Sequence, residues 1–71
     1  MSEIMMPCSY EAEQAVLGGL MLDNDRWDEV ILQISPEDLF SRPHRMVFRV
    51  MAELAGEGLP LDLITITERL E

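Results

Sequence analysis

Residues 43–55, Pro43-His44-Arg45-Met46-Val47-Phe48-Arg49-Val50-Met51-Ala52-Glu53-Leu54-Ala55, repeat their apolar side chains with the period of an α-helix. At about 100° per residue, His44, Met46, Val47, Phe48, Val50, Met51 and Leu54 sweep roughly 200° of the helix surface. The remaining narrow face carries Arg42, Arg45, Arg49 and Glu53. Pro43 suits a first helical turn, and Gly56 is placed to end the helix as its C′ residue. A helix with so wide an apolar arc must be surrounded, so the rest of the chain is expected to pack around it.

Working towards the N-terminus, Ser35-Pro36-Glu37-Asp38 is a start signal: a serine cap, a proline at the first helical position and an acid three residues after the cap. Ile34 and Leu39 are spaced as the hydrophobic staple of that short turn. Before it, Trp27, Val30, Ile31 and Ile34 mark an amphipathic helix, with Leu32 on its wet side. Tyr10 to Leu22 reads as the first helix, capped by Ser9, with Glu11 and Glu13 in its positive first turn. Beyond Gln14 it is apolar or glycine on every side, which predicts burial against several neighbours. Ala12, Ala15 and Gly19 share a small-residue face that would admit a close helix. Towards the C-terminus, residues 56–60 form a turn, and Asp62 caps a last helix. Leu61 with Ile66 is its staple, and Leu63, Ile66 and Leu70 are its stripe. No strand alternation appears. The expectation is an all-α globule of four helices plus a short helical turn, with residues 1–8 a flexible leader, residues 9–71 one partial domain, and the last helix truncated.

Composition narrows the function. With 71 residues, the chain is at most one small domain, burying about 60% of the surface its unfolded form exposes. Fourteen acids against five bases, all arginine, give a net charge of −9, which opposes any grip on nucleic acid or an anionic membrane. Without lysine there is no P-loop ending to reach phosphates. One cysteine and one histidine cannot build a zinc site of these soft ligands. No internal disulfide can form, and no signal peptide or membrane span is legible, so the expected location is cytoplasmic. The chain does not read as a complete enzyme.

The polar residues have structural readings. Asp23-Asn24-Asp25 evokes a calcium loop, but the places for a fifth-position ligand, a glycine and a closing glutamate hold Trp27, Asp28 and Ile34. The cluster is read as helix capping. Glu11 and Glu13, two apart on a helix, point away from each other and are read as dipole-stabilised acids, not as a catalytic pair. His44 is expected to be packed and hydrogen-bonded, and Cys8 to be incidental. Arg42, Arg45 and Arg49 are the candidate partner-contact face. The alternatives are pairing with Glu53, Asp38 or other acids of the chain, docking on an acidic partner surface, or phosphate contact. No catalytic, cofactor or metal residue is assigned.

A family resemblance rests on ordered blocks. Ser9-Tyr10-Glu11-Ala12-Glu13-Gln14-Ala15-Val16-Leu17-Gly18-Gly19-Leu20-Met21-Leu22-Asp23-Asn24 resembles the opening helix of the bacterial DnaB-type replicative DNA helicases. Trp27-Asp28, Pro36-Glu37-Asp38-Leu39-Phe40, His44-Arg45, Phe48 and Pro60-Leu61-Asp62-Leu63-Ile64-Thr65 follow in that family's order and spacing. The resemblance covers about residues 7–71. It implies a ring-shaped homohexamer that unwinds DNA with ATP. The N-terminal domain of that family is a helical head plus a hairpin, forming a collar that receives the primase. Only the head is matched here. DNA contact, ATP and magnesium would belong to the C-terminal motor domain, so no cofactor is expected in this chain. The expected role is protein contact with other helicase subunits and primase, with no membrane partner. The competing reading is a stand-alone acidic helical adaptor, or a mimic that poisons the full-length ring.

Overall fold

The computed structural model describes residues 9–71; the expected leader, with Cys8, lies outside the described residues. Helix α1 runs Tyr10–Leu22, α2 Trp27–Val30, α3 Arg42–Gly56 and α4 Leu63–Leu70, with short 3-10 turns at Asn24–Arg26 and Pro36–Asp38. Among the described residues all regular structure is helical. Helix α3 is the centre: α1, the Pro36–Asp38 turn and α4 all pack on it.

The caps are those the residue types dictate. Ser9 Oγ accepts from the Ala12 N–H at 3.1 Å, and Asp62 Oδ1 from the Thr65 N–H at 2.8 Å, each satisfying an orphan donor of a first turn. Asp38 Oδ2 accepts from the Ser35 N–H at 2.9 Å and from its hydroxyl at 3.0 Å, holding the Pro36–Asp38 turn. The staple residues Ile34, Leu39, Leu61 and Ile66 are all buried in one core with Leu17, Leu20, Trp27, Phe48, Met51 and Leu54.

Four features depart from the sequence expectations. Helix α3 ends one residue later: Gly56 is helical, and Gly58 at φ 75° takes the left-handed position. The Leu59 N–H then bonds Leu54 O at 2.9 Å and the Gly58 N–H bonds Ala55 O at 3.1 Å, a Schellman closure for which glycine has no Cβ penalty. Helix α2 is a single turn, because residues 31–33 leave the helix before buried Ile34. Helix α1 is one-sided, with Glu13, Leu17 and Leu20 inward at i, i+4 and i+7. Ala12, Ala15 and Gly19 face outward, and no other group approaches Gly18 or Gly19. Finally, Met46, Leu63 and Leu70 are exposed (49%, 67% and 42%), so the apolar arc of α3 is narrower than its sequence suggests and α4 buries Ile66 alone.

Candidate functional site

The region around the expected arginine face is built on one buried carboxylate. Glu13 points from α1 into the core with no exposed surface. Its Oε1 accepts from the Ser41 N–H at 3.0 Å and lies 3.0 Å from His44 Nδ1, while Oε2 accepts from the Phe40 N–H. An ionised carboxylate can only accept, so His44 Nδ1 carries the proton in this contact. The site also sits against the N-terminus of α3, whose partial positive charge favours an anion. Burial pushes the Glu13 carboxyl up, but the hydrogen bond from His44, those from the Ser41 and Phe40 amides and the charge of His44 outweigh it. The net effect holds the group below its usual range. Tyr10 covers the histidine, its ring centroid 4.4 Å from the imidazole's.

Glu13 is therefore more than a first-turn acid held by the helix dipole: it is a core residue. The signal was present in the sequence: Glu13 is in phase with Leu17 and Leu20, on the core side of α1. Glu11 is exposed, as expected of a first-turn acid. His44 is buried and hydrogen-bonded, the state its apolar surroundings suggested.

The three arginines do different things. Arg45 is half-buried, and its guanidinium donates to Leu39 O at 2.8 Å and Phe40 O at 3.0 Å. Arg49 lies 3.6 Å from Glu37 across largely exposed side chains. Arg42 is exposed and makes no ion pair among the described residues. Glu53, one of the acids offered as an internal partner for the stripe, pairs with Arg69 of α4 at 3.2 Å. Arg45 and Glu13 together immobilise the backbone of Phe40, one through its carbonyl and one through its amide, while the Phe40 ring is 71% exposed. Sequence reading missed Phe40, since an aromatic beside a buried leucine looks like core.

A second polar tie joins the end of α1 to the segment entering α4. The Asn24 side-chain amide donates to Leu20 O at 2.8 Å and Leu61 O at 3.1 Å, and Asn24 Oδ1 accepts from the Leu61 N–H at 2.8 Å. It closes the C-terminus of α1 and anchors the segment entering α4. No group of three or more potential metal ligands is gathered among the described residues. None of their helices is long and apolar enough to cross a membrane. The arrangement can present side chains on a fixed backbone.

Comparison with known proteins assigns the architecture. Residues 5–71 match the DnaB-like helicase N terminal domain. The chain belongs to that family. It is 55% identical over 65 residues to the replicative DNA helicase DnaB of Buchnera aphidicola subsp. Acyrthosiphon pisum, covering 92% of this chain and 14% of that protein. The Haemophilus influenzae DnaB is 44% identical over 64 residues, covering 90% of this chain and 14% of its own length. The Geobacillus stearothermophilus DnaB is 41% identical over 69 residues, covering 97% and 15%. The chain thus spans about one seventh of these relatives and corresponds to their N-terminal domain. Its sequence contains no lysine and so no P-loop of the Gly-Lys-Ser/Thr type.

Proposed function

We propose that this domain serves DNA replication as the protein-contact head of a replicative helicase, joining subunits of a hexameric collar and docking primase. In this reading ATP, magnesium and DNA are handled by a motor domain, and this domain contributes no cofactor site. The observation that supports it best is the outward side of α3 and the loop before it. There Phe40, Arg42, Met46 and Arg49 are exposed, while the backbone beneath is held by Glu13 and Arg45. Aromatic, methionine and arginine side chains are the types enriched in interface cores, and a fixed backbone lowers the entropy lost on binding. Arginine suits an acidic partner surface, where its planar fork binds a carboxylate through two bonds.

The test is made in a full-length relative carrying these residues. Phe40→Ser and the double change Arg42→Glu, Arg49→Glu are each expected to weaken primase association or collar assembly in sedimentation, while ATPase activity is retained. Arg45 is left intact, because it holds the loop. Unchanged primase affinity together with unchanged hexamer stability in both variants would refute the contact role of this face. Sedimentation of the present chain alone and with full-length helicase separates a collar piece from an independent adaptor.

A further inference from the structure

A different surface lies on the other flank of α3. Between α2 and α3 an open cleft of about 470 Å³ is lined chiefly by Trp27, Ile31, Ile34, Phe48, Ala52 and Ala55, with Asp28 at its edge. Trp27 and Phe48 form a rigid floor, their ring centroids 5.0 Å apart and tilted by 45°. Both rings are almost wholly buried, at 6% and 2% exposure, so the floor does not depend on an occupant for its packing. The walls are different: Ile31 is 45% exposed and Ala52 is exposed, an isoleucine and an alanine facing a hollow that would take a side chain. A smaller hollow lined by Asn24, Asp25, Leu59 and Leu61 adjoins the cleft and shares Trp27, Asp28 and Ala55 with it.

The charge around this cleft is one-sided. Asp28 lines it and Asp25 lines the adjoining smaller hollow, and neither makes an ion pair among the described residues. The arginines that could have neutralised it are engaged elsewhere: Arg26 with Glu29 at 3.2 Å, Arg49 with Glu37, and Arg69 with Glu53 and Glu57. An apolar hollow with unpaired carboxylates at one end matches one kind of occupant. We infer that the Trp27–Phe48 cleft binds a short basic segment of a partner protein, inserting a bulky aliphatic side chain over the aromatic floor. The lysines or arginines flanking that side chain lie against Asp25 and Asp28. Nucleic acid and acidic peptides are repelled by the same carboxylates. The size is that of a small-ligand pocket, enough for one or two side chains and not for a globular face.

Trp27 is the only tryptophan in the chain, so its emission reports occupancy directly. The present chain is titrated with three synthetic peptides of equal length: leucines flanked by lysines, the same leucines flanked by glutamates, and the lysines with serine in place of leucine. Only the first is expected to give a saturable shift of Trp27 emission, weakening as salt is raised. Asp25→Asn with Asp28→Asn should lower its affinity about three- to tenfold, the scale of two exposed ion pairs. Ala52→Leu, which fills the hollow from an exposed position, should abolish the shift while leaving the helical circular dichroism unchanged. Ile31→Ser, which widens the hollow, should weaken binding without closing it and serves if the filled variant is unfolded. Equal response to the glutamate peptide, or no saturable response to the lysine–leucine peptide, would overturn the inference. So would an emission change on diluting the chain alone, which would put a second copy in the cleft.

Discussion

Helix α3 is joined to its two long neighbours by opposite chemistry. At the α1 junction a carboxylate with no exposed surface gathers two backbone amides and an imidazole. At the α4 junction the buried residues are apolar, Ile66 and Leu61 sharing one core with Met51 and Leu54, and the charges stay outside. Arg69 there reaches Glu57 at 2.8 Å and Glu53 at 3.2 Å from a side chain about one third exposed. The carboxylates press the arginine further towards its protonated form, and the arginine holds Glu57 below its usual range. A buried polar tie is directional and intolerant: each donor it serves is stranded if the carboxylate goes. An aliphatic junction is graded, losing stability in proportion to the volume removed. Exposed ion pairs are screened and add little.

That contrast can be broken in a definite order. Glu13→Ala is expected to be the most damaging change, at about 3–5 kcal/mol, because it leaves the Phe40 and Ser41 amides and His44 buried without an acceptor. A domain of this length is stabilised by only about 4–10 kcal/mol, so the variant should be largely unfolded in modest urea. A urea midpoint within error of the parent would show that water replaces the carboxylate and that the junction is not dry. Ile66→Ala should cost about 2–4 kcal/mol by cavity formation and leave near-ultraviolet tyrosine signals from Tyr10 unchanged, since that ring sits on the other junction. A loss exceeding that of Glu13→Ala would reverse the ranking of the two junctions. Asn24→Ala, which strands both backbone groups of Leu61, is expected to fall lower, at about 1–3 kcal/mol. Arg69→Gln should shift the urea midpoint least of all.

Acid provides a second way to separate the junctions. The Glu13 pKa is lower in the folded chain than its unfolded value of about 4.3, so its contribution is complete above that pH. It is lost as pH falls below about 4.3 and through the lower folded value, because the unfolded chain then binds the proton more readily. Glu13→Gln is less stable than the parent at neutral pH, since an amide cannot accept from two amides through both of its heads. The gap between the two urea midpoints should narrow steadily from pH 5 to pH 3. Glu37, Glu57 and Asp62 are also lowered, but they are common to both chains and cancel in this comparison. A gap that stays constant across this range would mean that Glu13 is not ionised in the fold.

Much of the architecture is local chemistry and therefore readable in one dimension. Ser9, Ser35 and Asp62 act within three residues of themselves, and the staples Ile34–Leu39 and Leu61–Ile66 lie five apart. The α3 periodicity placed the central helix, and its caps and turns placed the rest. The candidate arginine face was legible as a set of positions, but not as a set of states. Arg45 turns back to the loop it follows, Arg49 meets Glu37 twelve positions earlier, and Arg42 is left to solvent.

The sequence by itself determined the all-helical class, four helices in their order, the capped starts, the acidic charge and the family, because each depends on residue type and spacing alone. Tertiary structure decided that Glu13 is a core residue, that Gly58 and not Gly56 turns the chain, that Met46 joins the arginine side of α3, and that Asn24 closes against Leu61. Each of those outcomes rests on groups far apart along the chain, or on backbone geometry that several neighbouring residues could have supplied. Glu13 meets Ser41 across 28 positions and Asn24 meets Leu61 across 37. A helical period shows which way a side chain points; only the packed neighbours determine whether a donor is waiting there.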